Sequence, residues 1–376
     1  MIGRLWPIIR KEFLHLFRDP RSLGLMFFLP VFLLVIYGYA ASFDIKNVPI
    51  AVLDLDKSSA SRELIAKFTQ SGYFVLVRDL TSTAQFAENL DSGRVKMIFS
   101  IPRDFSQKIN AQRPAQIQVL VDGADPTWAA SALGYLNGII QNYQLGLVKL
   151  AFVKRGLPTP RPPLSLETRV WYNDTLRSIN FFVPGLICVI LMQMAATLTS
   201  LTIVSEKEQG TMEALVVSPV RKNELMLGKI LPYVLIAFFD VIMVTALGVF
   251  WFGVPFNGNF GLLLLGSFIF LLGAMSLGVL ISASARSSQE AIQIALMATM
   301  LPSILLSGFV FPIENMPWLL QGISLLLPAR YYMDILRGIF LKGVGLNYLW
   351  PNFLLLLAIS TLVLTASVRR FKKRIE

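Results

Sequence analysis

Histidine and cysteine are nearly missing: the 376 residues hold one of each, His15 and Cys188. That removes a disulfide within the chain, a Cys/His zinc site and a Cys-His catalytic pair. Charge is scarce as well. Only 15% of residues are Asp, Glu, Lys or Arg, where a water-soluble globule carries about 25%. Hydrophobic residues make up 55% and the mean hydropathy is +0.61, so neither an ordinary soluble enzyme nor a disordered chain is in view. A phosphate-binding loop, G-x-x-x-x-G-K-[ST], is also absent. Its nearest match, Gly228-Lys229, is followed by Ile230 and has Asn223 where the first glycine belongs. Without that cradle there is no nucleotide engine in this chain, and ATP-driven work would need another polypeptide.

What is present is long apolar runs and basic residues beside them. Lys+Arg exceed Asp+Glu by 34 − 23 = 11, a balance that suits nucleic acid or a membrane surface. The bases flank apolar blocks, which selects the membrane. A hydrocarbon core about 30 Å thick takes about 20 apolar helical residues. Six blocks qualify: Leu23–Ser42, Ile179–Val204, Ile230–Phe252, Phe260–Ala283, Ala291–Phe311 and Pro351–Val368. The bases of the N-terminal arm, of the loop after the second block (Lys207, Arg221, Lys222, Lys229), Arg286 and the tail from Arg369 then share one side. The positive-inside rule makes that side, with both termini, cytoplasmic. The expected organisation is a cytoplasmic interfacial helix (1–22), a first span (23–42), an inserted extracytoplasmic domain (43–178), spans two to six (179–368) with a loop at 205–229 and an interrupted segment at 312–350, and a basic tail (369–376). Gly38-Tyr39-Ala40 also has small-x-small form, so a cleaved signal peptide competes with an uncleaved first span.

In the arm, Leu5, Ile9, Phe13, Leu16 and Phe17 recur at helical spacing with Arg4, Lys11, His15 and Arg18 on another face. This is an amphipathic interfacial helix, either a charged anchor or a lever against a cytoplasmic partner. The inserted domain alternates strand-like runs (Val48–Leu53, Phe74–Val77, Val95–Ile101, Ile117–Val121) with helices (Ser58–Thr69 with Ser58 as its N-cap, Thr83–Leu90, then Pro126–Arg155), a small α/β layer domain. Asp54, Asp56, Asp122 and Asp125 follow strands as acidic turns or, less simply, as metal ligands or catalytic carboxylates. Ser205-x-x-Glu208 has capping-box spacing, Gly210-Thr211 breaks the helix and Ser218-Pro219 starts another, giving a structured knob at the membrane surface. Trp318–Leu327, between Pro317 and Pro328, is too short to cross, so it dips in and returns or lies along the surface. Arg330, Asp334 and Arg337 sit at i, i+4, i+7, as a structural ion pair or a substrate contact. Asp240 stands mid-span without an adjacent base: a pathway or gate carboxylate, or a protonated, hydrogen-bonded one. Cys188 is a small buried apolar side chain.

The run from Ser205 to Arg221, SEKEQGTMEALVVSPVR, followed by Glu224-Leu-Met-Leu-Gly-Lys229, resembles the E-x-G-T-x-E-x-L-x-x-(S/T)-P segment of ABC type-2 permeases. Leu306–Pro317, Pro328-Ala-Arg-Tyr331 and Arg337-Gly338 are similar to the same family. Asp54–Ser59, Ile101-Pro102 and Asp122-Gly123 resemble its drug-exporter-like branch, which carries a large extracytoplasmic domain. The resemblance spans nearly the whole chain. It implies an α-helical polytopic membrane protein with six transmembrane helices and an inserted α/β extracytoplasmic domain, acting in a bacterial inner membrane as a half-transporter without an active site. It implies an ABC ATPase partner that binds ATP-Mg, no cofactor on this chain, and a second permease subunit, the same or a sister chain. A periplasmic adaptor is a further candidate partner, and nucleic acid is not one. It assigns ATPase coupling to Arg10, Lys11, Glu12, Glu206, Glu208, Gly210, Thr211 and Glu213, and a place near the outer gate to the short pieces after span five. The competing reading is an ATP-independent membrane protein: an ion-coupled transporter using Asp240, or a surface receptor or phage-contact protein.

Overall fold

A computed structural model describes residues 2–18, 20–40, 47–158, 169–174, 177–210 and 222–370. The chain divides into two compact units, Phe43–Thr168 and the remainder.

In the smaller unit, strand β1 (Val48–Asp54) is central. It pairs in parallel with β2 (Phe74–Asp79) and β3 (Met97–Ile101), and β3 pairs antiparallel with β4 (Gln118–Val121), giving the order β2-β1-β3-β4. Period-2 alternation sends Val48, Ile50, Val52, Met97 and Phe99 to one face, where Leu64, Phe68 and Phe105 cover them. Ala51, Leu53 and Ile98 go to the other face, beneath Phe86 and Leu90. The covering helices are α3 (Ser59–Thr69), α4 (Gln85–Asp91), α5 (Phe105–Asn110) and the 29-residue α6 (Pro126–Lys154). Ser58 caps α3, its hydroxyl accepting from the Ser61 amide at 3.1 Å, as the sequence suggests.

The larger unit is helical: α1 (Ile2–Arg18), α2 (Pro20–Ala40), α7 (Ser178–Glu208), α8 (Lys222–Ala246), α9 (Phe260–Ser284), α10 (Ser288–Leu305), the short α11 (Trp318–Ser324) and α12 (Pro328–Arg337), and α13 (Leu346–Arg370). Single π-turns at Leu247–Trp251 and Gly338–Lys342 extend α8 and α12. Among the described residues four helices are long and apolar enough to cross a membrane, at Ser178–Glu208, Leu227–Trp251, Phe260–Ser284 and Leu346–Arg370. The central helix is α7, buried along most of its length. It packs against α9 at Gly278, where a Cβ would collide with Thr199 Oγ1 and the Ala196 carbonyl. At Gly185 the ring of Phe309 takes the same space. Small residues thus let apolar helices approach where lipid supplies no hydrophobic drive.

Several sequence expectations are corrected. Ser205 does not open a helix: α7 runs through it to Glu208, and its hydroxyl donates to the Leu201 carbonyl at 2.6 Å. The fifth apolar block loses its last residues because Gly308 adopts φ +81°, ending α10 at Leu305 rather than Phe311. Gly38 carries a packing explanation besides its small-x-small form: a Cβ there would lie 2.6 Å from Phe252 Cζ. Of the apolar pieces after α10, α11 is exposed, with Trp318 at 82%, whereas Tyr332, Ile335 and Leu336 of α12 are fully buried.

Candidate functional site

Two adjacent residues of α1 face differently, because one helical step is about 100°. Lys11 stays at the rim while Glu12 turns inward, 6% exposed. The register of α1 on α8 is tight, since Gly228 leaves room for Ile8 where a Cβ would lie 2.8 Å from its Cγ2. On α7, Thr202 and Glu206 are one turn apart on one face. Lys229 lies on α8, 3% exposed.

These elements meet in a charge cluster. Lys229 Nζ reaches Glu206 Oε1 at 3.2 Å and Glu12 Oε1 at 3.3 Å, and donates to the Thr202 carbonyl at 2.7 Å. Lys11 Nζ reaches the same Glu206 oxygen at 3.0 Å. Lys229, Glu12 and Glu206 are buried and carry a net charge of −1, which the exposed Lys11 at the rim balances. The Lys229 ammonium has a single backbone carbonyl and two acids for its three donors. The cluster fastens α1 to both α7 and α8 at one end of these helices.

Around it, the last turn of α7 is tied to two more helices. Lys207 Nζ donates to the Ala283 carbonyl at 3.2 Å, at the end of α9. Glu208 accepts from the Ser288 amide at 2.8 Å and from its hydroxyl, at the start of α10. Gly210, at φ +70°, stops α7 in the left-handed conformation. Of the residues the resemblance assigns to coupling, the structure therefore gathers Lys11, Glu12 and Glu206 in the cluster, places Glu208 and Gly210 beside it, and leaves Arg10 exposed on α1. Thr211 and Glu213 lie outside the described residues.

In the sequence Lys229 stands among the flanking bases and at the end of the family-like run, neither of which marks it as buried. A sharper signal was available: it opens an apolar run with Leu225, Met226, Pro232 and Tyr233 at i±3 and i±4, so an acid for it has to come from another helix. Of the four pathway or gate candidates Asp240, Arg330, Asp334 and Arg337, the last three do not form the expected ion pair. Among the described residues no ion pair under 4 Å joins Asp334 to Arg330 or Arg337. Arg330 donates to Ser324 Oγ and the Gln321 carbonyl. Arg337 donates to the carbonyls of Gly308 and Phe309 at 2.9 and 3.1 Å and stacks 3.9 Å from the Phe181 ring centre. The cause is the kink after α10, which frees carbonyls that a forked guanidinium can take two at a time. Asp240 lies on α8 eleven residues, about three turns, beyond Lys229. It is 1% exposed, and its Oδ1 has no hydrogen-bond partner among the described residues.

The acids of the α/β unit have local duties. Asp54 accepts from the amides of Asp56 and Lys57 at 3.1 and 2.9 Å and from Ser61 Oγ at 2.7 Å. Asp56 accepts from Ser106, Asp122 from Lys96 and the Ala124 amide, and Asp125 from the Trp128 amide. The Lys96 hydrogen bond holds the Asp122 carboxyl below its usual range.

The family model described as ABC-2 family transporter protein matches residues 20–369. The chain is 34% identical over 376 residues to a probable multidrug ABC transporter permease of Escherichia coli, YbhR, with 100% of each chain covered. It is 32% identical to a second probable multidrug ABC transporter permease from that organism, YbhS, over 99% of this chain and 98% of the other. A third E. coli relative, the inner membrane transport permease YhhJ, is 30% identical over 97% and 96%. Permeases of this kind are membrane transport subunits rather than enzymes, and the family association is with an ABC ATPase subunit. On this full-length similarity the chain belongs to the ABC-2 family of transporter proteins.

Proposed function

We propose that the chain is the membrane-spanning subunit of an exporter powered by ATP hydrolysis in a separate subunit docked at the charge-cluster end. The four long helices are joined in this reading by α2, with 21 residues, and α10, with 18. At about 1.5 Å per residue these two reach about 27–32 Å, enough to make six crossings. Six crossings put both termini, α1 and the 205–229 loop on the basic, cytoplasmic side, and the α/β unit outside. ATP-Mg belongs to the partner chain, and the functional particle contains two permease subunits. The cargo is amphiphilic or drug-like, a class suggested by the names of the E. coli relatives.

The observation that carries this reading is the buried Lys229 cluster. An interfacial helix that only anchored the chain would lie on lipid by its apolar face. Here α1 is tied to α8 by the inward Glu12 carboxylate on Lys229 and to α7 by Lys11 on Glu206, so a push on α1 moves both. Glu206 is used inward, on Lys11 and Lys229, which leaves the exposed Arg10 as the candidate partner-facing residue of α1. Such a device works by binding differently to two states of the partner.

Lys229→Met and Lys229→Arg test the reading in cells accumulating ethidium and Hoechst 33342 as probe substrates. The methionine variant should retain its ATPase partner on purification while dye efflux falls at least tenfold, and arginine should restore much of it. Wild-type efflux in the methionine variant at equal expression contradicts the lever. No dye efflux above a vector control even in the wild type, together with no ATPase on purification, contradicts the exporter reading itself.

A further inference from the structure

The α/β unit contains a cavity of about 690 Å³ between α3, α5, the segment leading into β4, and the C-terminal half of α6. Its floor is apolar: Leu64, Phe105, Ile117, Ile140 and Leu147 line it, and Leu64 and Phe105 are buried. Its edge is basic, with Arg113, Lys154 and Arg155 all exposed beside Gln112 and Gln144. None of the described residues lining it is acidic. One of these bases is already positioned, Arg155 Nη2 donating to Gln112 Oε1. The volume is in the range of sites for drug-sized ligands, which pair an apolar lining with a few placed polar groups.

We propose that this cavity binds a single-chain anionic amphiphile, with the chain against the Leu64–Phe105 floor and the anionic head at Arg113, Lys154 and Arg155. Charge complementarity selects the occupant. A cationic amphiphile would bring a fourth positive charge to an edge that has no carboxylate to balance it. A second copy of the same surface would set three bases against three, which disfavours closure by self-association. Size selects one acyl chain over a two-chain lipid. None of this depends on the exporter reading, because it rests on the α/β unit alone.

Full-length protein in phosphatidylcholine nanodiscs, labelled with a diazirine-bearing palmitate and mapped by mass spectrometry, tests the proposal. Adducts are expected in 105–117 and 140–155, reduced at least tenfold by excess laurate and little by dodecyltrimethylammonium. In Arg113→Glu/Arg155→Glu those adducts should fall at least fivefold while labelling of the apolar helices is unchanged. The wild-type competition stands even if that variant folds poorly. Absence of adducts in the two segments, equal displacement by the cationic amphiphile, or equal labelling by a diazirine phosphatidylglycerol overturns the proposal.

Discussion

Lys229 is the residue on which the junction of α1, α7 and α8 turns, because its ammonium is nearly excluded from solvent and answers two carboxylates. Removing one partner from such a buried set leaves the others uncompensated, at a cost of about 3–5 kcal/mol. Lys229→Met should therefore lower the melting temperature of the purified protein clearly. Lys11→Ala breaks a contact whose lysine is 56% exposed, and should cost less than about 1 kcal/mol in the same melts. Equal losses would mean that burial does not separate the two lysines. Composition exposed the class of this chain, yet not this arrangement. Asp240 and Lys229 are both legible as costly charges in apolar runs, but which acid meets which base depends on the register of helices far apart in the chain, Lys11 and Glu206 being separated by 195 positions. Local spacing also misleads, as Ser205-x-x-Glu208 does, since a helix that packs along its whole length ignores an internal capping signal.

At the level of elements, α7 is held against α9 by close backbone approach and at its end by three other helices. Gly278→Ala places a methyl against the Ala196 carbonyl, which cannot rotate away. It should push α7 and α9 apart and depress the melting temperature, whereas Gly24→Ala, in open space within α2, should not lower it. In the α/β unit, Lys96 precedes β3 and Asp122 follows β4, so their ion pair closes the antiparallel edge. Asp122 titrates below its unfolded value, so the contribution is complete above about pH 4 and is lost as pH falls through the lowered folded value. Pepsin cleavage at the β3–β4 edge should rise over that acidic window in the wild type. Lys96→Met should cleave faster already above it, with less further change; an identical pH profile in both would dismiss the pair. The four strands and the helices α3, α4 and α6 of this unit were legible from period-2 and helical spacing, and Ser58 from its capping chemistry, whereas the six-residue α5 was too short to show a periodicity. The order β2-β1-β3-β4 was not, because pairing depends on long-range register.

Across the whole molecule, hydropathy and the placement of Lys and Arg carry the membrane reading, and the motif-bearing loop carries the family. Neither predicts the inward use of Glu206 or the carbonyl-binding role of Arg337, since both arise from packing between elements distant in sequence. The account makes this chain a gate moved from below by a polypeptide that burns ATP. Its most direct test is purification of the native complex from its own membrane, with subunit identification and ATP hydrolysis measured on the complex and on the chain alone. The account predicts an ABC ATPase in equal number with permease subunits, and hydrolysis only when that partner is present. Hydrolysis by the isolated chain, or a native particle without any ATPase, would contradict it.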